Sequence, residues 1–304
     1  MKAIIPVAGY GTRLKPHTDR YQKTLLPVAG KPALEHIIEP LLEAGINDLC
    51  FIVGHFKEQV IEHVKKYEGN FSFVEQKERL GLGHAILTGL EESDEPTLVQ
   101  LGDTIFDVDI ADFISSDENV IGIYGVDDPT RFGVVDISDD KINGFYEKHP
   151  NPPSNLAISG LYFFNNQNIL KKAIEELIAK QITTNNEYQI TDALQLMVKN
   201  GEPFKAYDTP DIYDVGVPET FLYSNRKLLV SEHDEFPTSK IIEPVFIGKN
   251  CMVEESIIGP YVTIMDNCSI TNSKIEDSII LENSSIDDQS IIGKIAAKDG
   301  TESC

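Results

Sequence analysis

From residue 241 onward, aliphatic residues return at steps of six or five: Ile241, Ile247, Val253, Ile258, Ile264, Ile270, Ile275, Ile280, Ile286 and Ile292. Ile-Gly pairs stand at 247-248, 258-259 and 292-293. Neither the 3.6-residue period of a helix nor the alternation of a strand produces this spacing. A hexapeptide repeat does. Each short strand forms one side of a triangular coil and sends one aliphatic side chain inward. The spacing predicts a small left-handed parallel β-helix of about three coils over 241–304, ending in a polar tail. Residues 231–240, with Glu232-His233-Asp234-Glu235-Phe236-Pro237, read as a linker.

Residues 1–230 follow a different rule. Ile4 to Val7 is a short apolar run bounded by turn signals, which suits a buried parallel strand. Strands at Leu49–Val53, Phe71–Glu75 and Thr97–Leu101 alternate with helices at Pro32–Ala44, Phe56–Tyr67 and Gly83–Leu90. The middle is richer in strands: Val120–Val126, Phe132–Ile137, Lys141–Glu147 and Leu156–Phe164. Helices follow near Gln167–Lys180, Gln189–Lys199 and Pro218–Val230, with short strands at Phe204–Tyr207 and Tyr213–Val215. This order predicts an α/β fold: a Rossmann-like mixed, mostly parallel sheet sandwiched by helices. Ligands of such sheets sit beyond the carboxyl ends of strands. The Gly9 turn and Asp103 both fall there.

Charge narrows the function. The chain of 304 residues carries a net charge of -23, which argues against nonspecific binding of nucleic acid. No apolar run reaches the length of a membrane span, and the first residues lack the apolar core of a signal peptide. A cytoplasmic protein that binds no membrane is expected, and with it a homo-oligomer. Cys50, Cys251, Cys268 and Cys304 are scattered and read as reduced thiols, neither a disulfide frame nor a zinc site. Within this acidic chain, residues 1–34 gather Lys2, Arg13, Lys15, Arg20, Lys23 and Lys31 against the single acid Asp19. A strand that ends in Gly9-Tyr10-Gly11-Thr12-Arg13, with cations behind it, is a place to hold phosphates. Gly-x-Gly by itself fits a plain turn equally well. The string is neither a Walker A loop nor the three-glycine dinucleotide fingerprint.

The longer string Gly9-x-Gly11-Thr12-Arg13-Leu14-x-Pro16-x-Thr18, followed by Lys23-x-Leu25-Leu26-Pro27-Val28-x-x-Lys31-Pro32, resembles the signature of the sugar-phosphate nucleotidyltransferases. Those enzymes join a sugar 1-phosphate to a nucleoside triphosphate and release pyrophosphate. One departure is Gln22, where the family has Pro. The resemblance implies that Arg13 and Lys23 are catalytic and that Ala8, Gly9, Gly11 and Thr12 bind the nucleotide. Gln76-Lys77-Glu78-Arg79-Leu80-Gly81-Leu82-Gly83-His84-Ala85 is similar to the base-recognition segment, so Gln76 and Gly81 would read the base. Leu101-Gly102-Asp103 and Tyr213-Asp214-Val215-Gly216 resemble the metal-binding stretches, which puts Mg²⁺ on Asp103 and Asp214. On the sugar-phosphate side the matches are Gly133, Glu147, Lys148 and Glu187, with His149 inserted between Lys148 and Pro150. Two carboxylates suit a hard cation whose other positions phosphate oxygens fill.

The implied reaction is Mg²⁺-dependent transfer from a nucleoside triphosphate, dTTP before UTP, to a sugar 1-phosphate, glucose 1-phosphate first. Thymidylyltransferases with a C-terminal β-helix favour dTTP; the opening Ile5-Pro6-Val7-Ala8-Gly9 is more similar to the UTP-dependent branch. Two rivals stand beside it. A catalytically weak scaffold homologue would keep the fold. A hexapeptide acyltransferase would need a His in or near its coils, and all seven His lie at or before His233.

Overall fold

The computed structural model describes residues 1–138, 141–298, 300 and 302–303. Contacts divide the chain into two compact units that do not follow chain order. One holds Met1–Gly9, Ile38–Gly102 and Phe106–Ile212; the other holds Tyr10–Ile37, Asp103–Ile105 and Tyr213–Cys304. Cys304 and the end of the polar tail lie outside the described residues.

The first unit is built on a nine-stranded sheet. Its strands are β1 (Lys2–Pro6), β2 (Asp48–Val53), β3 (Asn70–Glu75), β4 (Thr97–Gln100), β5 (Asn119–Gly125), β6 (Gly133–Ser138), β7 (Lys141–Glu147), β8 (Leu156–Phe164) and β9 (Phe204–Asp208). Their order is β3-β2-β1-β4-β8-β5-β9-β7-β6. The first four are mutually parallel. Ala3, Ile4 and Ile5 are fully buried, as a parallel strand covered on both faces requires. The other half is mixed: β8 runs antiparallel to β4 and β5, while β9 runs parallel to β5. Helices α1 (Lys57–Val64), α2 (Leu82–Gly89), α3 (Gln167–Ala179) and α4 (Ile190–Lys199) belong to this unit. Leu170, Ala173, Ile174 and Leu177 of α3 recur at i, i+3, i+4, i+7 and are buried. Leu170, Ala173 and Ile174 join Ile4, Val99, Phe164 and Leu194 in one core. Each Leu or Ile so buried contributes about 1.5–3 kcal/mol. A four-residue helix at Ile110–Phe113 was not legible in the sequence; the Asp109 carboxylate accepts from Asp112 N–H and caps it.

The second unit opens with three single-turn 3₁₀ helices, Thr12–Leu14, His17–Asp19 and Lys23–Leu25, and a two-strand ribbon of Pro27–Val28 with Lys31–Pro32. Helix α5 (Pro218–Leu228) follows, and then three sheets through which the chain circulates, parallel except for the last strand, Glu302–Ser303, which pairs antiparallel with Ile295–Ala297. Lys240–Ile241, Ile257–Ile258, Lys274–Glu276 and Ser290–Ile292 form one sheet; the other two start from Val245–Ile247 and Met252–Glu254. Val253, Ile258, Ile264, Ile270, Ile275, Ile280 and Ile286 fill the interior, as the repeat predicts. At the last step the repeat misleads. Ile291, not Ile292, faces Ile275 and is buried, while Ile292 is 50% exposed. Backbone register decides this, whereas the Ile-Gly pair at 292-293 only copies the earlier pairs. Serines stack at one corner: Ser256 N–H donates to Ser239 Oγ, and Ser273 N–H to Ser256 Oγ.

Candidate active site

In the first unit a cavity opens beyond the carboxyl end of β1. Ala8, Gly9, Gln76, Arg79, Gly81 and Glu187 line it. Two parallel-sheet bonds extend past the strands and set its floor: Val7 N–H to the Ile52 carbonyl, and Gln76 N–H to the Val53 carbonyl. Gly81 is there for a reason. Its φ is +113, and a Cβ on it would lie 2.6 Å from the Tyr188 carbonyl oxygen. The turn before α2 is laced to that stretch: Tyr188 N–H donates to the Leu80 carbonyl and Gly83 N–H to the Tyr188 carbonyl. Gln76 Nε2 donates to the Gly81 carbonyl at 3.3 Å, so the two residues expected to read the base come together. Arg79 was not singled out by sequence, yet its Nη2 donates to the Ala8 carbonyl at 3.0 Å in the same wall. The signal was a lone Arg between Gln76 and Gly81.

A second group forms where β6 and β7 pair. Glu147 ends β7 with its side chain only 8% exposed, and Lys148 Nζ lies 3.5 Å from Glu147 Oε1. A Cβ on Gly133 would come within 2.7 Å of Thr191 Oγ1 and 2.9 Å of Glu147 Oε2. Gly133, Glu147 and Thr191 therefore converge, and Thr191 is a member that the sequence did not mark. Burial first, then the Glu147 charge, pushes the Tyr162 phenol up. Glu187 stands elsewhere, on the Gly81 cavity, where Gln189 Nε2 donates to it. The inserted His149 is absorbed locally: its Nδ1 is 2.7 Å from the Asn151 carbonyl oxygen, while Lys148 N–H stays bonded to the Phe132 carbonyl.

The second unit holds the cations and the acids. Gly11 has φ +62, and a Cβ there would lie 2.8 Å from Thr18 Cγ2 and 3.0 Å from Lys23 Cβ. Thr18 Oγ1 closes the turn on the Gly11 carbonyl. Lys23 is nearly buried, and its Nζ meets Asp103 Oδ2 at 2.5 Å. Gln22 does not loosen this segment. It is 2% exposed, and its Oε1 accepts from both Thr24 N–H and Thr24 Oγ1, capping the Lys23–Leu25 turn. Its φ of -63 is the value a proline would impose. Asp214 is held by Gly216 N–H and Thr220 Oγ1, both at 2.8 Å. Val215 N–H donates to the Asp103 carbonyl, which brings the two acid-bearing stretches together. Burial first, and then the Asp103 charge among the lesser causes, pushes the Asp214 carboxyl up. A Cβ on Gly216 would sit 2.8 Å from Asp214 Oδ1 and 3.6 Å from Arg13 Nη2. Arg13, Lys23, Asp103 and Asp214 thus share one neighbourhood, with Thr12 opening the turn that carries Arg13.

Does a divalent cation fit these residues? Among the described residues no three His, Cys, Asp or Glu side chains cluster as a ready metal cage. Two carboxylates in each other's field leave most of the positions of a hard cation to phosphate and water. The donor set fits an ion that arrives with a triphosphate.

Known proteins share this chain's sequence pattern and fold. Residues 2–231 match the family model described as nucleotidyl transferase. The chain is similar to the bifunctional protein GlmU of Methanocaldococcus jannaschii, 33% identical over 96% of this chain and 76% of that protein. It is also similar to a glucose-1-phosphate thymidylyltransferase of Streptomyces antibioticus, 31% identical over 94% of this chain and 88% of the other. Among solved structures, a UDP-glucose pyrophosphorylase complexed with UDP-glucose superposes with a TM-score of 0.64. It is 29% identical, covering 74% of this chain and 97% of its own. The match reaches from the first strand through the stretch that carries Asp214, and on it the chain is a member of the nucleotidyl transferase family.

Proposed function

We propose that the protein joins glucose 1-phosphate to a nucleoside triphosphate, dTTP in preference, giving the nucleoside diphosphate sugar and pyrophosphate. The observation that carries the reading is the Lys23–Asp103 contact in the neighbourhood of Asp214 and Arg13. A phosphate oxygen of the sugar 1-phosphate forms a bond to the α-phosphorus. The bond from that phosphorus to the bridging oxygen breaks, and pyrophosphate leaves with the electron pair. A sugar phosphate is ionised near neutral pH, so no general base is required. The task is to bring two polyanions together.

In this reading Arg13 and Lys23 hold the triphosphate and the charge that develops on it, and the amides of Gly9 and Gly11 approach its oxygens. Gln76 and Gly81 take the base. Gly133, Glu147 and Lys148 take the sugar phosphate, and Glu187 is the remaining sugar candidate. Asp103 and Asp214 would hold Mg²⁺, which when bound neutralises phosphate charge as a Lewis acid. Lys23 then exchanges its carboxylate partner for phosphate oxygens.

The Streptomyces relative supports dTTP, since its likeness extends over the repeat region. UTP is the second reading. The likeness to a UDP-glucose pyrophosphorylase and the opening Ile5-Pro6-Val7-Ala8-Gly9 favour it. Pyrophosphate release across dTTP, UTP, ATP, CTP and GTP with glucose 1-phosphate, with and without Mg²⁺, separates the two. Absence of release with every triphosphate sinks both. Asp103→Asn is expected to remove most turnover while circular dichroism stays that of the wild type; near-normal turnover would remove Asp103 from the metal site.

A further inference from the structure

The segment Tyr10–Ile37, which supplies Arg13 and Lys23, has little regular structure to hold it. Before the α-helix Glu35–Glu43 begins, its helices are single 3₁₀ turns and its ribbon has two residues per strand. Such pieces do not persist by themselves. They pack against helix α5 and the β-helix, in the same compact unit. His17 is 3% exposed, and its Nε2 lies 3.0 Å from the carbonyl oxygen of Ile295, on the last coil. A carbonyl only accepts, so Nε2 carries the hydrogen. The next residue, Thr18, closes the Gly11 turn through its hydroxyl. On the other side of Lys23 in the chain, Ala29 N–H donates to Asn225 Oδ1 at 2.8 Å. That oxygen also accepts from Thr263 Oγ1 in a coil strand at 2.8 Å. Gly30, at φ +87, leaves room for Phe246 of the first coil, whose ring a Cβ would meet at 2.7 Å. Helix α5, which carries Asn225, also braces Asp214: Thr220 bonds its carboxylate and Ser224 its backbone carbonyl. The neighbouring Arg226 pairs with Asp277 on a coil.

We propose that the β-helix is the mount of the phosphate-handling segment, and that His17 and Asn225 are positioning residues through which the coils set the placement of Gly11 and Lys23. Neither side chain touches substrate in this scheme. The proposal rests on the reading of Arg13 and Lys23 as triphosphate ligands. It assigns the coils a part in turnover itself, in addition to any part in assembly.

Two measurements on the full chain test it. The first is pyrophosphate release with dTTP or UTP, glucose 1-phosphate and Mg²⁺. His17→Ala is expected to lower kcat about 10- to 100-fold, since small misplacements cost on this scale. The KM for glucose 1-phosphate stays within about twofold, because uniform binding is untouched. His17→Gln, whose amide can still donate to the Ile295 carbonyl, recovers most of the loss. The second measurement is amide hydrogen exchange. Residues 10–37 exchange faster in His17→Ala, and also in Thr263→Val, which keeps the coil's volume and removes the hydroxyl that donates to Asn225. A kcat for His17→Ala equal to wild type overturns the proposal, as does a His17→Gln variant as slow as His17→Ala. Unchanged exchange over 10–37 in both variants overturns it too. If the wild type releases no pyrophosphate, the proposed function fails, and exchange alone still decides whether the coils hold the segment.

Discussion

At the scale of residues, Asp214 carries the clearest electrostatic signature. Its carboxyl is pushed up from 3.8, first by burial and then with a contribution from Asp103. Above the folded pKa the side chain is ionised in a place that disfavours the charge. As pH falls through that pKa, the native state takes the proton before the unfolded chain does, and the cost disappears. An asparagine side chain at this position never carries the charge. Asp214→Asn should therefore have its largest Tm relative to wild type near pH 8, and this difference should shrink as pH falls towards about 4. A difference that stays constant over the range would mean that burial does not disfavour the ionised form. Cysteine reactivity gives a second test. The neighbouring Cys268 thiol draws the Cys251 thiol down, whereas burial pushes the Cys50 thiol up. Iodoacetamide near neutral pH should label the partly exposed Cys251 before the buried Cys50, read by peptide mass spectrometry; equal rates would mean that neither burial nor the raised pKa protects Cys50. Lys23, Asp103 and Asp214 could be marked in advance because they stand in strings that resemble the family's, and the structure brings them into one neighbourhood. Arg79, Thr191 and Thr220 were not. Each acquires its part from a neighbour outside its own string: the Ala8 carbonyl, Gly133 and Glu147, and the Asp214 carboxylate.

At the scale of elements, long periodic segments could be read and short ones could not. The strands Lys141–Glu147 and Leu156–Phe164 have the expected bounds, because their apolar runs lie between turn residues. The 3₁₀ turns of residues 12–25 have no period, and a cap such as Gln22 on Thr24 shows only once the chain is folded. The β-helix shows where a period stops being informative. Val245 pairs with Val262 and Ile258 with Ile275, but the next circuit is one residue shorter, pairing Ile264 with Ile280 and Ile275 with Ile291. A one-residue step exchanges the inward and outward side chains. Ile291→Ala should cost about 2–4 kcal/mol, the range of buried large-to-small changes. Ile292→Ala should stay within about 0.5 kcal/mol, as an exposed site does. Denaturant melts of the two variants decide the register, and the opposite ranking would restore Ile292 to the interior.

At the scale of the whole molecule, 49 acidic side chains face 26 Lys and Arg. Pairs such as Lys57–Glu75, Lys65–Glu62 and Lys180–Glu176 are exposed, and each contributes little. Repulsion summed over the excess acids therefore outweighs them, and it acts over tens of ångströms at low salt. Screening acts first on such long separations: the Debye length falls from about 30 Å at 0.01 M to about 10 Å at 0.1 M. The close, half-buried Lys23–Asp103 contact is screened less. Raising KCl over that interval, with no divalent ion present, should raise Tm by a few degrees, about what 1 kcal/mol gives in domains of ordinary size. The same screening should ease the approach of a polyanionic triphosphate, so kcat/KM for the nucleotide should hold or rise between those two salt levels. A basic phosphate-binding surface would lose affinity steeply instead. Falling Tm with added KCl would show that the local ion pairs outweigh the net charge. A steep fall in kcat/KM at constant Tm would show that the cations of residues 10–37 govern encounter from a distance rather than acting only on a triphosphate already delivered.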